Sequence, residues 1–440
     1  MYKQAAIIIL LLSLCRMADG QVVFTSLEDA WKYADVHNIS IITAKYEVEK
    51  SLYAKRQSYS ALLPQVNATG SYTDNLALQT TLIPDEILGG PPGKYQKLQF
   101  GEQFVYAGGI AAQMSILNLQ NVYNAQIAKQ TEDLNRASLA NNKKSVYQQV
   151  ATQYYSFLLM QEAYDLAARS ANISDSVFES VSNKFKEGTV NEANVDVAKL
   201  NFERAQQNEV SAKYQMLTAL NNMKALLNLS VRDSLVIHSS LKDNLQGETS
   251  ATFQEDPAIK LAMYQTKISL SNYRAANSAF APTINILYNC ATQRFDKTFE
   301  PFSGATGTAG WFPSQYWSLQ ASIPLFTSGG RLFQSKKNKI ALNESKEQYE
   351  NTLKQSAIND ENIRLNYMKA AAVLDKAKDV MNLSFDNYLH ISYRYEGGIE
   401  TIETRLNAFR DYIDYQNQYL SSLSDMLVQL YQVKIRQQSF

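Results

Sequence analysis

The sequence has few of the residues that turn a polypeptide chain. Its 440 residues include 17 glycines and 9 prolines, roughly half of their share in an average protein. Loop-rich β-sandwiches, collagen-like repeats and proline-rich disordered chains are disfavoured, because each needs many such residues. The shortage favours long helices.

Excess charge, paired cysteines and long apolar runs are also missing. Lys and Arg number 42, as do Asp and Glu, so no bulk field attracts nucleic acid. Of the two cysteines, Cys15 lies near the N-terminus, and its removal would leave Cys290 without an intramolecular disulfide partner. No segment after the first twenty residues has 18 consecutive apolar residues, which leaves strands as the way to enter a membrane.

The first twenty residues have the pattern of a secretory signal peptide. A lysine precedes an apolar run over residues 5–12, and small residues around Gly20 mark a cleavage site. We therefore expect residues 1–20 to be removed. A lipoprotein anchor at Cys15 is the alternative, although bulky Leu14 precedes it where such signals carry a small residue.

Two segments of the chain share one pattern. Residues 44–67 align without a gap with residues 262–285, and each segment reads as a helix that stops at a proline, Pro64 or Pro282. Similar offsets recur later in the chain, so the sequence predicts two structural repeats. The expected divisions are a first repeat over residues 21–230, a linker over residues 231–255 and a second repeat over residues 256–440.

Each repeat predicts the same series of elements. A helix leads into a β-hairpin of alternating polar and apolar residues. A very long helix then ends at a glycine turn, from which another helix returns. The first helices are expected at residues 27–62 and 256–280, the hairpins at about 65–116 and 283–324, and the long helices at 124–186 and 332–395.

The hairpin loops hold much of the scarce glycine and proline. The first loop, around residues 89–93, carries about 11 more residues than the second, and length variation of this kind belongs in loops. The second has glycines at Gly304, Gly307 and Gly310. This spacing lacks the strand-to-helix setting of a phosphate site, so the sequence favours a flexible loop.

The last helix has the heptad pattern of a coiled coil. Apolar residues recur in alternating steps of three and four from Ile399 to Leu430, and Gln416 alone interrupts them. A shorter series echoes this pattern in the first repeat, at Val190, Ala193, Val197 and Leu200.

Four amphipathic strands cannot lie in a bilayer as an open sheet, because the sheet edges would leave backbone groups unpaired. The smallest transmembrane barrels have about eight strands, so this chain must oligomerise to close one. Aromatic residues cluster around the hairpins, as membrane-interface girdles require. These girdle aromatics are Tyr72, Phe104, Tyr106, Trp311, Tyr316 and Trp317. An ordinary soluble hairpin capped by aromatic residues is the alternative.

The order of these motifs resembles the TolC-type outer-membrane efflux family. The resemblance extends over residues 27–433 and is carried by the helices before Pro64 and Pro282, the strand over residues 322–326 and the turn over residues 395–397. It implies a mainly α protein with a small β part. A long antiparallel α-helical barrel or coiled coil would be joined to four transmembrane β-strands per chain, which close as a trimeric 12-stranded barrel.

The resemblance also implies a function and partners. Such a protein is the outer-membrane channel, or exit duct, of a tripartite efflux or type I secretion system in a Gram-negative bacterium, with a periplasmic helical extension. This homotrimer would lie in outer-membrane lipid and passively conduct substrates from an inner-membrane RND or ABC-type transporter and a periplasmic adaptor (membrane fusion) protein. Drugs, metal ions and proteins are all open as cargo. The alternative is a secreted periplasmic or surface coiled-coil protein with a structural or adhesive role.

The resemblance assigns the two glycine turns, over residues 184–196 and 393–405, to the periplasmic entrance, where adaptors dock and acids narrow the pore. This tip site comprises Glu187, Gly188, Thr189, Glu192, Asn194, Asp196, Glu396, Gly397, Gly398, Glu400 and Glu403. The family often has an acid six residues after the tip glycine. Glu403 fits this pattern, six residues after Gly397. The same position after Gly188 is occupied by Asn194, which is not an acid. A ring of three Glu403 carboxylates would favour cations; the alternative is that these acids are solvated and oppose helix dipoles.

Catalytic and metal-binding motifs are missing from the sequence. Its three histidines, His37, His238 and His390, lack metal-ligand spacing. There is no nucleophile elbow, Walker loop or Cys-His arrangement. We therefore expect no enzymatic activity, no metal and no cofactor.

Overall fold

The computed structural model describes residues 21–242, 253–299, 310–438 and 440. The expected signal peptide with Cys15, part of the linker, and the loop residues Gly304 and Gly307 lie outside them. In chain order the described residues form β1 (Val22–Phe24), α1 (Leu27–His37), α2 (Ile39–Ser60), β2 (Gln65–Asp74), β3 (Thr80–Pro84), β4 (Tyr95–Gln99), β5 (Phe104–Leu117), α3 (Leu119–Lys186), α4 (Glu192–Leu226), β6 (Leu235–Ile237), α5 (Pro257–Ser278), β7 (Thr283–Asp296), β8 (Phe312–Ser322), α6 (Gly330–Glu396) and α7 (Ile402–Gln437). The fold is thus mainly helical with a small β part.

The chain forms two compact units. The first, which we call the helical unit, comprises the described residues within Met1–Glu49, Leu134–Met263 and Gln348–Phe440. The second, the sheet unit, comprises Lys50–Asp133 and Tyr264–Glu347. Among the described residues, no helix has both the length and the apolar character that a membrane span needs.

The core of the helical unit is built around the heptad of α7. Its apolar residues from Ile402 to Leu430 are buried or half-buried, and Leu423 and Leu427 are fully enclosed. They pack with Tyr154 and Tyr155 of α3 and with the short parallel strands β1 and β6. The residues at the coiled-coil positions of α7 thus form part of the hydrophobic core of the helical unit.

Two parts of the predicted heptad are wrong. Ile399 precedes α7 and is 70% exposed. In the first repeat, Ala193 and Leu200 are exposed. The buried positions of α4 instead include Ala198, Ala205 and Ala219. Small side chains at these positions allow a neighbouring helix to approach α4 closely.

The predicted helix over residues 27–62 is two helices that meet at Asn38. Asn38 has an extended ψ of 126° and ends α1. Its side-chain Oδ1 accepts from the N–H of Ser40 at 2.9 Å and from the N–H of Ile41 at 3.3 Å. Its Nδ2 donates to Leu226 O at 2.8 Å. A contact 188 residues away in sequence therefore fixes the break.

A buried charge cluster ties the long helices of the helical unit to the segment before α5. Lys144 Nζ lies 2.7 Å from Asp256 Oδ2. The guanidinium of Arg436 makes two bonds to Asp360, at 2.7 and 2.8 Å, and donates to Gln254 O at 2.8 Å. Paired charges of this kind avoid the large cost of burying one ion alone.

The sheet unit contains one four-stranded antiparallel sheet, in the order β2-β5-β7-β8. Gln65 pairs with Gln113, and the register runs without a break to Asp74 opposite Phe104. Between β5 and β7 the pairing shifts after Ser115, so Ile116 forms a β-bulge. Within the described part of the chain, β2 and β8 have one partner each, so the sheet has two open edges there.

The first hairpin loop is more regular than predicted. β3 and β4 pair antiparallel from Thr80 opposite Gln99 to Pro84 opposite Tyr95. Gly89 and Gly93, with φ of +84° and +86°, turn the chain between them. The residues added in the first repeat therefore form a second small hairpin, because β-branched residues over 80–83 favour an extended backbone.

Candidate functional site

The first turn of the tip site closes α3 with a glycine in the left-handed conformation. Gly188 has a φ of +73°. Its N–H donates to Phe185 O at 2.9 Å, and the N–H of Thr189 donates to Lys184 O at 3.0 Å. The bond that spans five residues marks a Schellman motif, which pairs carbonyl groups left free at a helix end. A Cβ atom at Gly188 would meet no atom within 4 Å, so the backbone angle alone requires glycine.

The second turn repeats this geometry one residue later than the sequence comparison predicted. Gly398 has a φ of +73°, and the N–H of Ile399 donates to the carbonyl five residues back at 2.9 Å. Gly397 instead donates to the carbonyl four residues back at 3.0 Å, as inside a helix. Gly398, and not Gly397, is the counterpart of Gly188. The predicted register is wrong because sequence alone does not distinguish two adjacent glycines.

Each returning helix begins at a capping side chain. Asn191 Oδ1 accepts from the N–H of Asn194 at 3.0 Å, and Thr401 Oγ1 accepts from the N–H of Thr404 at 3.2 Å. Asn194 and Thr404 are therefore equivalent, each six residues after its left-handed glycine. Glu403 lies one residue earlier, in the first turn of α7. The position at which the resemblance looks for an acid is uncharged in both turns.

Most acids of the tip site face solvent in the single chain. The exposed acids are Glu187, Glu192, Asp196, Glu396 and Glu403. Glu400 is half-buried, and its Oε1 lies 3.0 Å from Arg394 Nη2. Glu192 and Glu403 occupy the first turns of α4 and α7, where a negative charge stabilises the positive end of the helix dipole. Among the described residues, no group of three His, Cys, Asp or Glu side chains is placed to hold a metal ion.

Tyr395 joins the two turns. Lys184 Nζ lies 5.0 Å from the ring centroid and donates to the hydroxyl at 3.4 Å. Arg405 Cζ lies 5.2 Å from the same centroid. Cation–π contacts at exposed sites contribute about 0.5–1 kcal/mol each. The buried apolar cluster beside this ring contains Val181, Ala198, Ile402 and Leu406.

The sequence analysis missed the role of Tyr395 and its two cations. Both turns also line a cavity of about 530 Å³ that includes Lys184 and Tyr395. The sequence does contain a signal for this contact. Tyr395 lies just before the glycines of the second turn, Lys184 begins the first turn range and Arg405 ends the second.

The girdle aromatics lie on two levels of the sheet. At the loop end of the sheet, the ring centroid of Tyr72 lies 5.5 Å from that of Tyr106 and 6.3 Å from that of Phe104. Trp317 lies 4.7 Å from Tyr288, near the end that leads into the helices. Strand pairing puts all five rings on one face of the sheet.

Two of the proposed girdle residues lie elsewhere. Tyr316 directly precedes Trp317 in β8 and so lies on the opposite face of the sheet. Trp311 precedes β8 and is 46% exposed. The sheet therefore brings together four of the six girdle aromatics on one face.

Arg294 is a buried charge that the sequence analysis did not single out. It is 3% exposed, and its Nη2 lies 2.5 Å from Asp296 Oδ2. Its guanidinium also lies 5.5 Å from the centroid of Tyr106. The aromatic ring and the carboxylate compensate the charge on the otherwise apolar face.

Comparisons with known proteins agree with the fold and with the resemblance. Residues 33–229 match the model of the family described as outer membrane efflux protein. The outer membrane protein VceC from Vibrio cholerae has a similar structure, with a TM-score of 0.74, 14% identity, and 94% of this chain and 96% of that chain covered. No curated protein sequence matches the chain.

Two further channels have similar structures. The Neisseria gonorrhoeae MtrE outer membrane channel has a TM-score of 0.72 and 19% identity over 92% of this chain and 88% of that chain. The Campylobacter jejuni CmeC outer membrane channel has a TM-score of 0.70 and 16% identity over 93% and 85%. The partial match to the family model and the fold shared with these channels thus agree with the resemblance to the TolC-type family.

Proposed function

We propose that this chain, with the fold of outer-membrane efflux channels, is the exit duct of a tripartite efflux or type I secretion system. It would conduct substrates passively, because the energy for export comes from an inner-membrane RND or ABC-type transporter. A periplasmic adaptor would couple the two. The proposal extends the family match over residues 33–229 to a place in a transport system.

The observation that carries this proposal is the two-faced sheet. One face of β2, β5, β7 and β8 is polar and uncharged, whereas the other is largely apolar and carries aromatic rings on two levels. Tyr72 marks one aromatic level. Val66 lies six residues earlier in β2 and on the same rung of the sheet as Trp317, which marks the other level. At roughly 3.3 Å per residue this is about 20 Å, comparable with the apolar band of about 25 Å in outer-membrane barrels.

Three copies of the chain would close the open edges of this sheet. In the bilayer, the unpaired backbone groups of β2 and β8 would have no water to bond. Pairing of β8 of one copy with β2 of the next would give a trimeric 12-stranded barrel, with the polar face towards the lumen. In each copy, residues 21–230 and 256–440 would be two structural repeats that contribute one strand pair each.

The tip site would form the periplasmic entrance of the trimer and the docking surface for the adaptor. Its exposed acids, which include Glu403, would approach their symmetry mates around the axis. Carboxylates brought close together favour cations in the pore. The contact of Tyr395 with Lys184 and Arg405 would hold the two turns together in the closed entrance.

Two measurements test the proposal. On a gel, detergent-extracted outer membranes are expected to contain a trimer that becomes a monomer on heating. The purified trimer is expected to produce conductance steps in a planar bilayer. A soluble monomer found only in the periplasmic extract would overturn the proposal and support a structural or adhesive coiled-coil protein instead.

Adaptor docking is tested separately in cells. A photocrosslinking residue at Thr189 in the tip site is expected to capture a periplasmic protein anchored in the inner membrane. The same residue at Tyr72 serves as the control and is expected not to capture it. Equal capture at both positions would contradict docking at the tip.

A further inference from the structure

One face of the four-stranded sheet has no charged side chain along its described strands. Successive residues of a strand alternate between the two faces. The register places Gln65 of β2, Gln113 of β5, Asn285 of β7 and Gln320 of β8 on this face, together with every second residue in either direction along each strand. The side chains on it that can form hydrogen bonds are Gln65, Asn67, Thr69, Ser71, Thr73, Gln113, Ser115, Thr283, Asn285, Asn289, Gln293, Ser314, Tyr316, Ser318, Gln320 and Ser322. Uncharged amides and hydroxyls therefore provide all the polarity of this face.

The charges of the sheet lie on the other face. Asp74, Arg294 and Asp296 belong to the two rungs nearest the loop end. Arg294 and Asp296 form an ion pair there. The separation of charge from the polar face is therefore complete among the described strand residues.

Four amides crowd the end of the polar face that leads into the helices. We call Gln65, Gln113, Asn285 and Gln320, which occupy two neighbouring rungs of this face, the amide rung. Gln65 pairs directly with Gln113 on one rung of the sheet, and Asn285 pairs with Gln320 on the neighbouring rung. Together they line an open cavity of about 400 Å³.

A second feature fixes the geometry of this end. Ser115 Oγ donates to Asn285 Oδ1 at 2.6 Å, immediately before the bulge at Ile116. Bulges bend a strand and redirect its side chains, and they are frequent at barrel rims. The hydrogen bond therefore holds the amide rung at the point where the sheet gives way to helix.

We infer that the amide rung determines the charge specificity of the sheet-lined segment, and that this segment passes solutes of either sign or of none. The inference rests on the proposed function, because it needs the polar face to line a lumen. Threefold symmetry would then place twelve neutral amides in two adjacent rings. Any preference for cations would arise at the exposed acids of the tip site and not in the sheet.

The test is the reversal potential of single channels in a planar bilayer under a KCl gradient. The full-length trimer carries neutral substitutions at the exposed acids of the tip site to remove their contribution; these are Glu187→Gln, Glu192→Gln, Asp196→Asn, Glu396→Gln and Glu403→Gln. This background is expected to have a K⁺/Cl⁻ permeability ratio within about twofold of one, since a neutral ring exerts no field of one sign on ions. A strong preference for either ion that persists after removal of all the tip acids would overturn the inference.

The second part of the experiment places a single charge per chain in the amide rung. Gln113→Glu is expected to shift the ratio towards K⁺ and Gln113→Lys towards Cl⁻, each by about threefold or more, because three like charges would face one lumen. The matched control is Gln315→Glu, a glutamine of the same sheet whose pairing places it on the opposite face. It is expected to leave the ratio unchanged.

The outcomes separate the inference from the proposed function. If the channels conduct but Gln113→Glu and Gln113→Lys leave the ratio unchanged, or shift it no more than Gln315→Glu does, the inference is wrong and the channel proposal stands. If neither Gln113 variant assembles, the same charges at Gln320 of the amide rung replace them, with the same expected signs. A wild-type trimer that never conducts would contradict the proposed function itself.

Discussion

Gly188 and Gly398 have the same backbone conformation, each with a φ of +73°, although they lie in different halves of the chain. In both turns, the residue after the glycine donates its N–H to the carbonyl five residues back. A capping side chain then starts the next helix three residues after each glycine, at Asn191 or Thr401. The two turns thus share a backbone while their side chains differ.

This shared backbone predicts different results for two neighbouring glycines. Gly398→Ala is expected to destabilise the turn by about 1–2 kcal/mol, because an L-residue is strained at positive φ. Gly397→Ala is the matched control, since a Cβ atom there would lie 3.6 Å from Tyr393 O, an ordinary contact. Thermal unfolding followed by circular dichroism measures both. A loss at Gly397→Ala as large as at Gly398→Ala would contradict the assignment of the turn.

The contact of Tyr395 with Lys184 predicts an effect on the entrance of the channel. Tyr395→Leu removes the ring and its hydroxyl, so the two turns lose contacts of about 0.5–1 kcal/mol each, and the fraction of time spent open is expected to rise. Tyr395→Phe keeps the ring and is expected to have a smaller effect. Single-channel recording measures the open fraction.

A nearby tyrosine provides the control for this prediction. Tyr393 is 69% exposed, so Tyr393→Leu is expected to leave the open fraction at the wild-type value. An equal rise in both leucine variants would show that the contact between the turns does not hold the entrance closed.

The long helices follow closely from the sequence, whereas the breaks within elements do not. α3 and α6 begin within five residues of the predicted starts, because long stretches without glycine or proline leave helix as the favoured conformation. The break at Asn38 depends on a bond to Leu226 O, which local sequence does not encode. The strand pairs are visible as alternation, but their union into one sheet through β5 and β7 depends on contacts across the two halves.

The tip site illustrates the same limit at the scale of one residue. The glycines, the acids and the helix starts are all visible in the sequence. Yet the position equivalent to Gly188 depends on a backbone angle, and the partners of Tyr395 depend on how the helices pack. Composition and spacing therefore locate the site, and tertiary contacts decide which residues act together.

The buried charge cluster predicts a loss of stability in acid. Burial raises the pKa of Asp256, but hydrogen bonds from Lys144 and the Ala258 N–H, with the nearby Arg436, outweigh it and lower the pKa below the ordinary value of 3.8. A carboxylate with a lowered pKa in the folded state stabilises the protein above the unfolded-state pKa. This contribution is lost as the pH falls below 3.8 through the lower folded-state pKa.

Asp256→Asn isolates this contribution. The variant is expected to be less stable than wild type by about 3 kcal/mol at pH 6, since it leaves Lys144 without its buried partner. The difference in melting temperature between the two is expected to narrow below pH 3.8. Asp425→Asn is the control, because Asp425 is exposed on α7, and is expected to have little effect. A difference that stays constant down to pH 2 would contradict the assignment.

The two roles open to Glu403 predict different results for Glu403→Gln. If three Glu403 carboxylates surround the pore, as proposed, the substitution is expected to lower the K⁺/Cl⁻ permeability ratio by about twofold or more, because like charges near an axis attract cations. If Glu403 only opposes the dipole of α7, the variant loses about 0.3–1 kcal/mol of stability and the ratio is unchanged. Glu192→Gln is the matched comparison, since Glu192 is also an exposed first-turn acid. Reversal potential and melting temperature, measured on the same preparations, distinguish the pore ring from the helix-start charge for each residue separately.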